Sequence, residues 1–509
     1  MLTNLTLENF KAFQKLDDLK IKPITILCGT NSCGKSSILQ SILLLKQTLE
    51  SKNLNQSLLL NGRLIKLGYF QDVIFRKNLN TPISFSFTFT ITRDIHGLQS
   101  ERRPPIHWLL GELTGDRHTL NKDTEYLIDY SVSLKAIEGN GNEDSEYLKS
   151  LLVNHICLKI SEKNADKIDS EIMLSANHIK GNTYAINWKN LKNRFISDKQ
   201  TSSEKLELEI LFANLFPVSF RNIKSNDKPI PNRSNPDITS FFYRSSDIFH
   251  TIFSSYSYIG PLRGEPERRY VYEDEVLEIG NKGENAAYLY LTEQNKRIHN
   301  HHFYNRSIDS FETLPNQTLH SALQKWFELM KIPNFEAEIT NKIIYLNMEA
   351  STYDQTRVGI ADVGFGVSQI FPIILEGLRM EKGATLMLEQ PEIHLHPNLQ
   401  MQMADYFISL ALSGKQVLVE THSDHVINRL VRRIVEDETH NLQDLIGIYF
   451  IKPSENGSVY EEVKIDENKG IINWPPDFFD QTANEQMKIM QAGLKKRKNQ
   501  RIPANGNAS

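Results

Sequence analysis

The stretch GTNSCGKSS, from Gly29 to Ser37, has residue types and spacing suited to holding a polyphosphate. Its glycines, Gly29 and Gly34, allow the backbone to pass close to phosphate oxygens, and Lys35 can reach the β- and γ-phosphates. Ser36 offers a hydroxyl to Mg²⁺, while the loop amides and the helix that follows supply positive potential. The sequence therefore predicts a site for ATP and Mg²⁺. The predicted nucleotide contacts in this loop are Gly29, Asn31, Ser32, Cys33, Gly34, Lys35, Ser36 and Ser37.

A second group of residues whose side chains could do chemistry lies in LMLEQPE, where an apolar strand ends in Glu389 and Gln390. A phosphate loop needs an acidic strand end that holds Mg²⁺ through water, and Glu389 is our candidate for that metal-side acid. Gln390 occupies the position where a general base would be expected. Glu392 follows two residues later and could reach the site from another direction. The alternative for Glu389 is an ordinary carboxylate at a strand end.

Two further segments place polar groups where a nucleotide would lie. In VETHSDHVINRL, His422 follows a buried strand and is placed to contact the γ-phosphate. The alternative is a turn histidine before a helix that Ser423 or Asp424 caps. In VGFGVSQ, glycines including Gly366, together with Ser368, are predicted to stand before a helix, and such a helix start favours anions. The alternative there is a simple glycine turn.

Composition limits the class of protein but does not identify a partner. The chain has 509 residues, 40% hydrophobic and 24% charged, with a net charge of −4. A net charge of this sign gives no general case for nucleic-acid binding, although a local basic patch is not ruled out by it. The chain has only three cysteines, which suits a reducing compartment, and none of them has metal-ligand spacing. Because no signal peptide or membrane span is apparent, we expect a cytoplasmic protein without membrane contact.

The elements that must position these residues alternate between strands and helices. The run ITILCG predicts a strand before the phosphate loop, and SSILQSILLLKQTL has helical spacing after it. This strand–loop–helix context argues against a chance match of the glycine pattern. Repeated alternation predicts an α/β sheet, and SENG between two apolar runs predicts a late hairpin. The C-terminal segment from residue 493 to residue 509 is basic and then small and polar, so we expect it to be disordered.

Four regions follow from changes of pattern along the chain. They are an N-lobe with the phosphate loop (1–93), an inserted α+β lid or arm (94–255), a C-lobe with the remaining motifs (256–452), and a C-terminal hairpin with a basic tail (453–509).

These motifs, in this order, resemble those of ABC-type ATPases of the SMC and RecF kind. The resemblance adds a Q-loop region, LGYFQDVIF, in which Gln71 is the candidate metal contact, and a D-loop-like IHLHP. It implies an ABC-type P-loop ATPase head with an insertion between its two lobes. In this class the signature segment, here FGVSQ, faces the phosphate loop of a second protomer. The resemblance therefore implies a homodimer or higher homo-oligomer gated by ATP.

A narrower resemblance concerns YIGPLR, EQPEIHLHP, ETHSDHVINRL and INWPPDFFDQ. These segments are similar to those of prokaryotic AAA-family ATPases with a C-terminal domain of unknown function, related to OLD-family proteins and to anti-phage ATPases such as PtuA of Septu. The resemblance implies a sensor subunit that works with a separate effector nuclease of the HNH type. A RecF-like repair ATPase is the alternative. Contact with DNA stays open, because KKRKNQR and NRLVRR are basic.

Two departures from the wider class affect the expected activity. The signature reads FGVSQ where LSGGQ is usual, so Gly366 stands where a serine is common. The acidic strand ends in Glu-Gln where Asp-Glu is usual, and a glutamine cannot accept a proton as a carboxylate does. Loss of a positioned base can cost on the order of 10²–10⁴ in rate. We therefore expect slow ATP hydrolysis, with Glu392 as the alternative base, or a non-hydrolysing scaffold that only holds ATP.

Overall fold

A computed structural model describes the chain except for residues 53–56, 93–124, 138–150, 165–166, 190–205, 223–235, 272–277, 351–354, 440, 474, 476–480 and 501–509. The expected boundary between the N-lobe and the insertion, at residues 93 and 94, lies outside the described residues. So does the end of the expected disordered tail, from residue 501 onwards.

The strands fall into one large sheet and several small ones. In chain order they are β1 (Leu2–Phe10), β2 (Phe13–Lys20), β3 (Ile24–Gly29), β4 (Ile83–Thr92), β5 (Glu125–Ala136), β6 (Leu151–Asn164), β7 (Lys167–Lys180), β8 (Thr183–Lys189), β9 (Leu206–Ala213), β10 (Phe216–Asn222), β11 (Tyr256–Ile259), β12 (Tyr270–Val271), β13 (Arg297–Ile298), β14 (His301–Asn305), β15 (Ser310–Leu314), β16 (Gln317–Thr318), β17 (Glu336–Thr340), β18 (Ile343–Glu349), β19 (Arg357–Gly359), β20 (Thr385–Glu389), β21 (Gln416–Glu420), β22 (Ile446–Ser454), β23 (Gly457–Glu462), β24 (Ile465–Asp466) and β25 (Gly470–Ile471).

The α-helices cover the sheet or extend from it. They are α1 (Lys35–Leu49), α2 (Phe70–Val73), α3 (Pro236–Ser254), α4 (Ala286–Glu293), α5 (Leu319–Leu329), α6 (Phe365–Arg379), α7 (Pro397–Leu412), α8 (Asp424–Glu436), α9 (Leu442–Leu445) and α10 (Gln481–Gln500). Short 3₁₀ turns lie at Phe75–Lys77 and Ile360–Asp362.

The large sheet has the order β10-β9-β8-β7-β6-β5-β4-β1-β2-β23-β22-β3-β21-β20-β11. Its last five strands, β22 to β11, are mutually parallel, and the others are antiparallel. The inner parallel strands β20 and β21 are buried along their whole length, as strands covered on both faces must be. The predicted α/β class is confirmed, and the structure places the phosphate-loop strand β3 inside the parallel part of the sheet.

Two hydrophobic cores lie on opposite faces of the parallel strands. Along β3, Leu27 belongs to one core while Ile26 and Cys28 belong to the other, as the two-residue alternation of a strand requires. The first core includes apolar residues of α1 and of the antiparallel strands, and the second includes those of α5 to α8. Because each strand is buried on both faces, its position within the sheet is fixed. The position of the loop at its carboxyl end is fixed as a consequence.

The insertion and the C-terminal region differ in detail from the sequence-based expectation. Strands β5 to β10 continue the sheet from β4, so the described part of 94–255 extends the N-lobe sheet and packs α3 against it. The late hairpin forms between β22 and β23, but β22 also pairs with β3, so the boundary at residue 453 cuts the hairpin near its turn.

The expectation of a disordered tail from residue 493 is wrong for its first part, because α10 continues to Gln500. Lysine, arginine and glutamine are good helix formers, and the charge of lysine and arginine says little about local order. No helix in the described part of the chain is long and apolar enough to cross a membrane.

Candidate nucleotide site

Three neighbouring parallel strands bring the predicted residues to one edge of the sheet. β3 leads into the phosphate loop, β21 ends at Glu420, and β20 ends at Glu389. In the register of the sheet, Glu389 lies opposite Glu420, and Glu420 lies opposite Leu27. Ligands of open α/β sheets bind at the carboxyl ends of such strands.

The phosphate loop has backbone angles that glycine accepts at the two expected positions. Gly29 has φ of 139° and Gly34 has φ of 94°. A β-carbon on Gly29 would lie 2.0 Å from the carbonyl oxygen of Ile451, and one on Gly34 would lie 2.7 Å from Ala12 Cβ. The loop is therefore held tightly against β22 and against the turn between β1 and β2.

Lys35 begins α1 and is buried beneath the loop. Its ammonium donates to the carbonyl oxygens of Gly29 at 3.2 Å and Thr30 at 2.7 Å. The Cys33 thiol also donates to Thr30, at 2.8 Å, and serves as a packing residue inside the loop. Asn31 and Ser32 are exposed, and Ser37 is buried with its N–H donating to the carbonyl of Gly34.

Glu389 and Glu420 form a buried acid pair beside this loop. Burial and the neighbouring Glu420 raise the pKa of Glu389 to about 7, against a hydrogen bond from Tyr258 and the charge of Lys11. The Tyr258 hydroxyl donates to Glu389 Oε1 at 2.9 Å. Burial also raises the pKa of Glu420, while a side-chain hydrogen bond from Ser36 and the nearby Lys35 ammonium lower it.

The donor set fits a divalent cation. Glu420 Oε2 is buried without a hydrogen-bond partner, and a second carboxylate and the Ser36 hydroxyl stand beside it. Hard cations such as Mg²⁺ prefer this all-oxygen set, completed by phosphates and water. In the described part of the chain, no group of three or more His, Cys, Asp or Glu residues is arranged to hold a metal, so nucleotide oxygens would have to complete the shell.

Gln390 is held through its backbone. It has φ of 44°, its N–H donates to the carbonyl of Glu420 at 2.7 Å, and its own carbonyl accepts from Arg263 at 2.9 Å. This left-handed residue turns the chain sharply after β20. The sequence indicated the position of Gln390 but not that its backbone joins two strand ends.

Glu392 and His422 contact each other at the next turn. Glu392 Oε1 accepts from the backbone N–H of His422 at 2.6 Å, so one carboxylate oxygen fixes the start of the turn after β21. Burial raises the pKa of Glu392, and burial with the Lys35 charge lowers the pKa of His422. The capping role proposed as an alternative belongs to Ser423, whose hydroxyl accepts from the N–H of Val426. The helix cap at Ser423 is compatible with a contact between His422 and the γ-phosphate, which stays a prediction.

The signature-like segment begins α6, so Gly366 and Ser368 lie in the first turn of the helix and not before it as predicted. Gly366 approaches the carbonyl of His394 in the D-loop-like turn, and Ser368 donates to the carbonyl of Phe365 at 2.8 Å. The Phe365 ring is half exposed and lies 5.8 Å from the His394 ring. Phe365 is exposed beside the D-loop-like turn, whereas Ser368 is buried. The nucleotide role of Gly366 and Ser368 needs a second chain and stays a prediction.

Gln71 lies in the short helix α2. The carbonyl of Val73, in the same helix, accepts from the N–H of Lys11 at 2.7 Å. The charge of Lys11 in turn acts to lower the pKa of Glu389, against the larger effect of burial. This connection places α2 near the candidate site, but the metal contact of Gln71 stays a prediction.

Sequence reasoning missed Glu420, Tyr258 and Lys11. Glu420 ends an apolar strand just as Glu389 does, and that shared position was the signal that could have identified it. Tyr258 lies on β11, beside β20 in the sheet, and begins the segment YIGPLR, from which no role for it could be read. Arg263 ends the same segment, and its guanidinium donates to the carbonyls of Gln390 and Pro391.

Comparisons with known proteins identify the family of the chain. A family model described as "AAA ATPase domain" matches residues 1–427, and one described as "Protein of unknown function (DUF3696)" matches residues 443–489. No curated protein matches the chain significantly.

Similar solved structures include SMC head domains. The head domain from Thermotoga maritima is 11% identical and the alignment covers 91% of this chain and 99% of that one, with a TM-score of 0.34. An SMC head bound to the C-winged helix domain of ScpA is 12% identical, with 92% and 98% covered and a TM-score of 0.36. An SMC head with an extended coiled coil, from Pyrococcus furiosus, is 11% identical, with 96% and 98% covered and a TM-score of 0.33. Likeness at these scores is too distant to indicate a shared function.

The match of the first family model extends over most of the chain and includes the phosphate loop, the acid pair and His422. The chain belongs to the AAA ATPase domain family of nucleotide-binding ATPases.

Proposed function

We propose that the chain is an ABC-type ATPase that binds ATP with Mg²⁺ at the carboxyl ends of β3, β20 and β21 and hydrolyses it slowly. The observation that carries this proposal is the buried acid pair, Glu389 and Glu420, beside Ser36 and Lys35. Two neighbouring buried carboxylates disfavour each other's ionisation, and a divalent cation bound with the nucleotide would relieve that repulsion.

Each residue has a defined task in this proposal. Lys35 leaves the loop carbonyls and pairs with the β- and γ-phosphates, Ser36 and Glu389 hold the cation, and His422 contacts the γ-phosphate. Bound Mg²⁺ neutralises phosphate charge. Tyr258 orients Glu389 by donating to one of its oxygens, which leaves the other oxygen for the site.

Slow turnover follows from the groups available to activate water. Gln390 can orient a water molecule but cannot take its proton. Glu392 can take a proton, and its burial raises its pKa, which favours that role. One of its oxygens is already bonded to the backbone of His422, which limits its movement.

The exposed Phe365, at the start of the signature-like segment FGVSQ, supports an assembly in which two protomers meet across the nucleotide site. Phe365 is half exposed at the start of α6, beside His394. In the proposed homodimer or higher homo-oligomer, this surface of one protomer covers the phosphate loop of the other, so ATP gates the assembly. Gly366 and Ser368 then contact the nucleotide of the partner.

The biological role we propose is the ATPase subunit of a prokaryotic anti-phage system with a separate effector nuclease. The motif resemblance supports this role, and a RecF-like repair ATPase is the alternative. Affinity purification of the chain from its native host, with ATP present, discriminates between them. Recovery of an HNH-type nuclease supports the defence role, and recovery of repair proteins alone supports the other.

The central test is nucleotide binding by full-length protein with Mg²⁺, measured by calorimetry for wild type and Lys35→Ala. Lys15→Ala is the control, because Lys15 is an exposed lysine paired with Asp17. We expect Lys35→Ala to lose ATP binding and Lys15→Ala to keep it. Normal ATP binding by Lys35→Ala would contradict the proposed function.

A further inference from the structure

Glu420 is a buried acid at the end of an apolar strand, as Glu389 is. It ends β21 between the phosphate-loop strand and β20, and only 4% of its surface is exposed. Its carbonyl oxygen accepts from the N–H of Gln390 at 2.7 Å, so the two residues are fixed relative to each other.

The side chain of Glu420 lacks sufficient partners in the chain itself. The Ser36 hydroxyl stands beside the carboxylate, but Oε2 is buried without a hydrogen-bond partner. The nearby Lys35 ammonium donates to the carbonyls of Gly29 and Thr30. A buried carboxylate oxygen that makes no bond is costly, so it indicates a ligand that completes the site.

The charge count of the site points to the kind of ligand. In the wider class two adjacent acids end one strand, whereas here that strand ends in Glu389 and the neutral Gln390. A second acid stands opposite Glu389, at the end of the next strand. Both carboxylates lie beside the phosphate loop, and Glu420 contacts Ser36, the hydroxyl expected to bind metal.

We propose that Glu420 is a second carboxylate of the divalent-cation site and supplies the negative charge that Gln390 lacks. This inference rests on the proposed function, because the cation enters with the nucleotide. A purely structural role, in which Glu420 only orients Ser36, is the competing explanation.

The test measures how binding of the ATP analogue AMP-PNP to the full chain depends on free Mg²⁺. Wild type, Glu420→Gln and Glu420→Asp are compared, with Glu438→Gln as control because Glu438 is exposed. Glutamine keeps the size and the hydrogen-bond acceptor of the side chain but removes its charge. Binding in EDTA reports whether each variant has a folded phosphate loop.

For Glu420→Gln we expect binding in EDTA to be kept or tightened, because a negative charge near the phosphates is removed. The Mg²⁺ concentration at half-saturation should rise about 10- to 100-fold, the usual effect of disturbing a metal site. Glu420→Asp keeps the charge on a shorter side chain and should show a smaller rise. Binding of Mn²⁺ in the presence of AMP-PNP can be followed by electron paramagnetic resonance. We expect the Mn²⁺ affinity to be highest for wild type, lower for Glu420→Asp and lowest for Glu420→Gln.

Three results separate this inference from the proposed function on which it rests. If wild type binds AMP-PNP and both Glu420 variants keep the wild-type Mg²⁺ dependence, Glu420 is not part of the cation site, although the proposed function stands. If both variants lose nucleotide binding in EDTA as well, the role is structural and the inference is overturned. If wild type itself does not bind AMP-PNP with or without Mg²⁺, the proposed function fails.

Discussion

The guanidinium of Arg263 donates to the side-chain oxygen of Gln369 at 3.1 Å. The same group donates to the carbonyls of Gln390 at 2.9 Å and Pro391 at 3.2 Å. It therefore joins the signature helix α6 to the turn that follows β20. Burial lowers the pKa of Arg263 to about 10, so the guanidinium stays charged near neutral pH.

Replacing Arg263 should loosen this connection. Arg263→Ala leaves three acceptors without their donor, and we expect unfolding free energy to fall by about 1–3 kcal/mol for each one that stays buried and unpaired. Arg263→Lys should restore only part of this, because an ammonium does not reproduce the planar fork. Arg268→Ala is the control, since Arg268 is exposed and pairs with Asp362. Denaturant unfolding measures the effect, and equal losses at the two arginines would contradict the prediction.

Turnover should depend on Glu392 and respond to a new acid at residue 390. Glu392→Gln keeps an acceptor for the His422 N–H but removes the base, so we expect hydrolysis to fall on the order of 10²–10⁴ with ATP binding kept. Gln390→Glu should raise turnover. Phosphate release by purified protein with Mg²⁺ is the measurement. If wild type binds ATP without releasing phosphate and Gln390→Glu restores release, the chain is a scaffold held by nucleotide.

Gly29 should be intolerant of any side chain. Gly29→Ala places a β-carbon 2.0 Å from the Ile451 carbonyl oxygen, and the φ of 139° is unfavourable for alanine. We expect loss of nucleotide binding together with lower thermal stability. Gly493→Ala is the control, because it lies in open space on α10 and alanine favours a helix. A Gly29→Ala protein with normal melting temperature and ATP affinity would show that the loop can move away from β22.

Phe365 should matter for assembly but not for nucleotide affinity. Phe365→Asp puts a charge on the exposed signature surface, so we expect the ATP-dependent dimer to be lost while monomer binding of ATP continues. Val218→Asp changes an exposed residue of β10, outside the proposed interface, and is the control. Sedimentation velocity with and without AMP-PNP measures the mass. Persistence of the dimer in Phe365→Asp would place the interface elsewhere.

Stability should rise with pH because of Lys415. Its ammonium is buried and donates to the carbonyls of Gly377 and Leu378, and burial lowers its pKa to about 7. Glu381 and Glu376 oppose this shift, and Lys296 adds to it. Between pH 7 and the unfolded value of 10.5, the unfolded state binds more protons, so this group makes folding more favourable as pH rises.

The slope from one such proton is at most about 1.4 kcal/mol per pH unit. Lys415→Met should remove this part of the slope. Urea unfolding of both proteins across the range from pH 7 to pH 10 tests it, and parallel curves would show that Lys415 does not titrate there.

The sequence alone determined the phosphate loop and its surroundings. Glycine spacing, an apolar strand before the loop and helical periodicity after it are local properties, so the positions of Gly29, Gly34 and Lys35 followed from about twenty consecutive residues. The strand end at Glu389 was readable for the same reason. Local pattern also gave the α/β class, because alternation of strands and helices is a property of the order of elements.

Tertiary structure alone decided which residues meet. Glu420 and Glu389 become neighbours because β21 lies between β3 and β20, and strand order is set by burial of both sheet faces, which no single segment encodes. Tyr258 reaches Glu389 from a strand more than a hundred residues earlier in the chain, and Arg263 joins two motifs across a similar separation. Contacts at such sequence distances depend on the packing of the whole sheet, whereas motifs depend on neighbours in the chain.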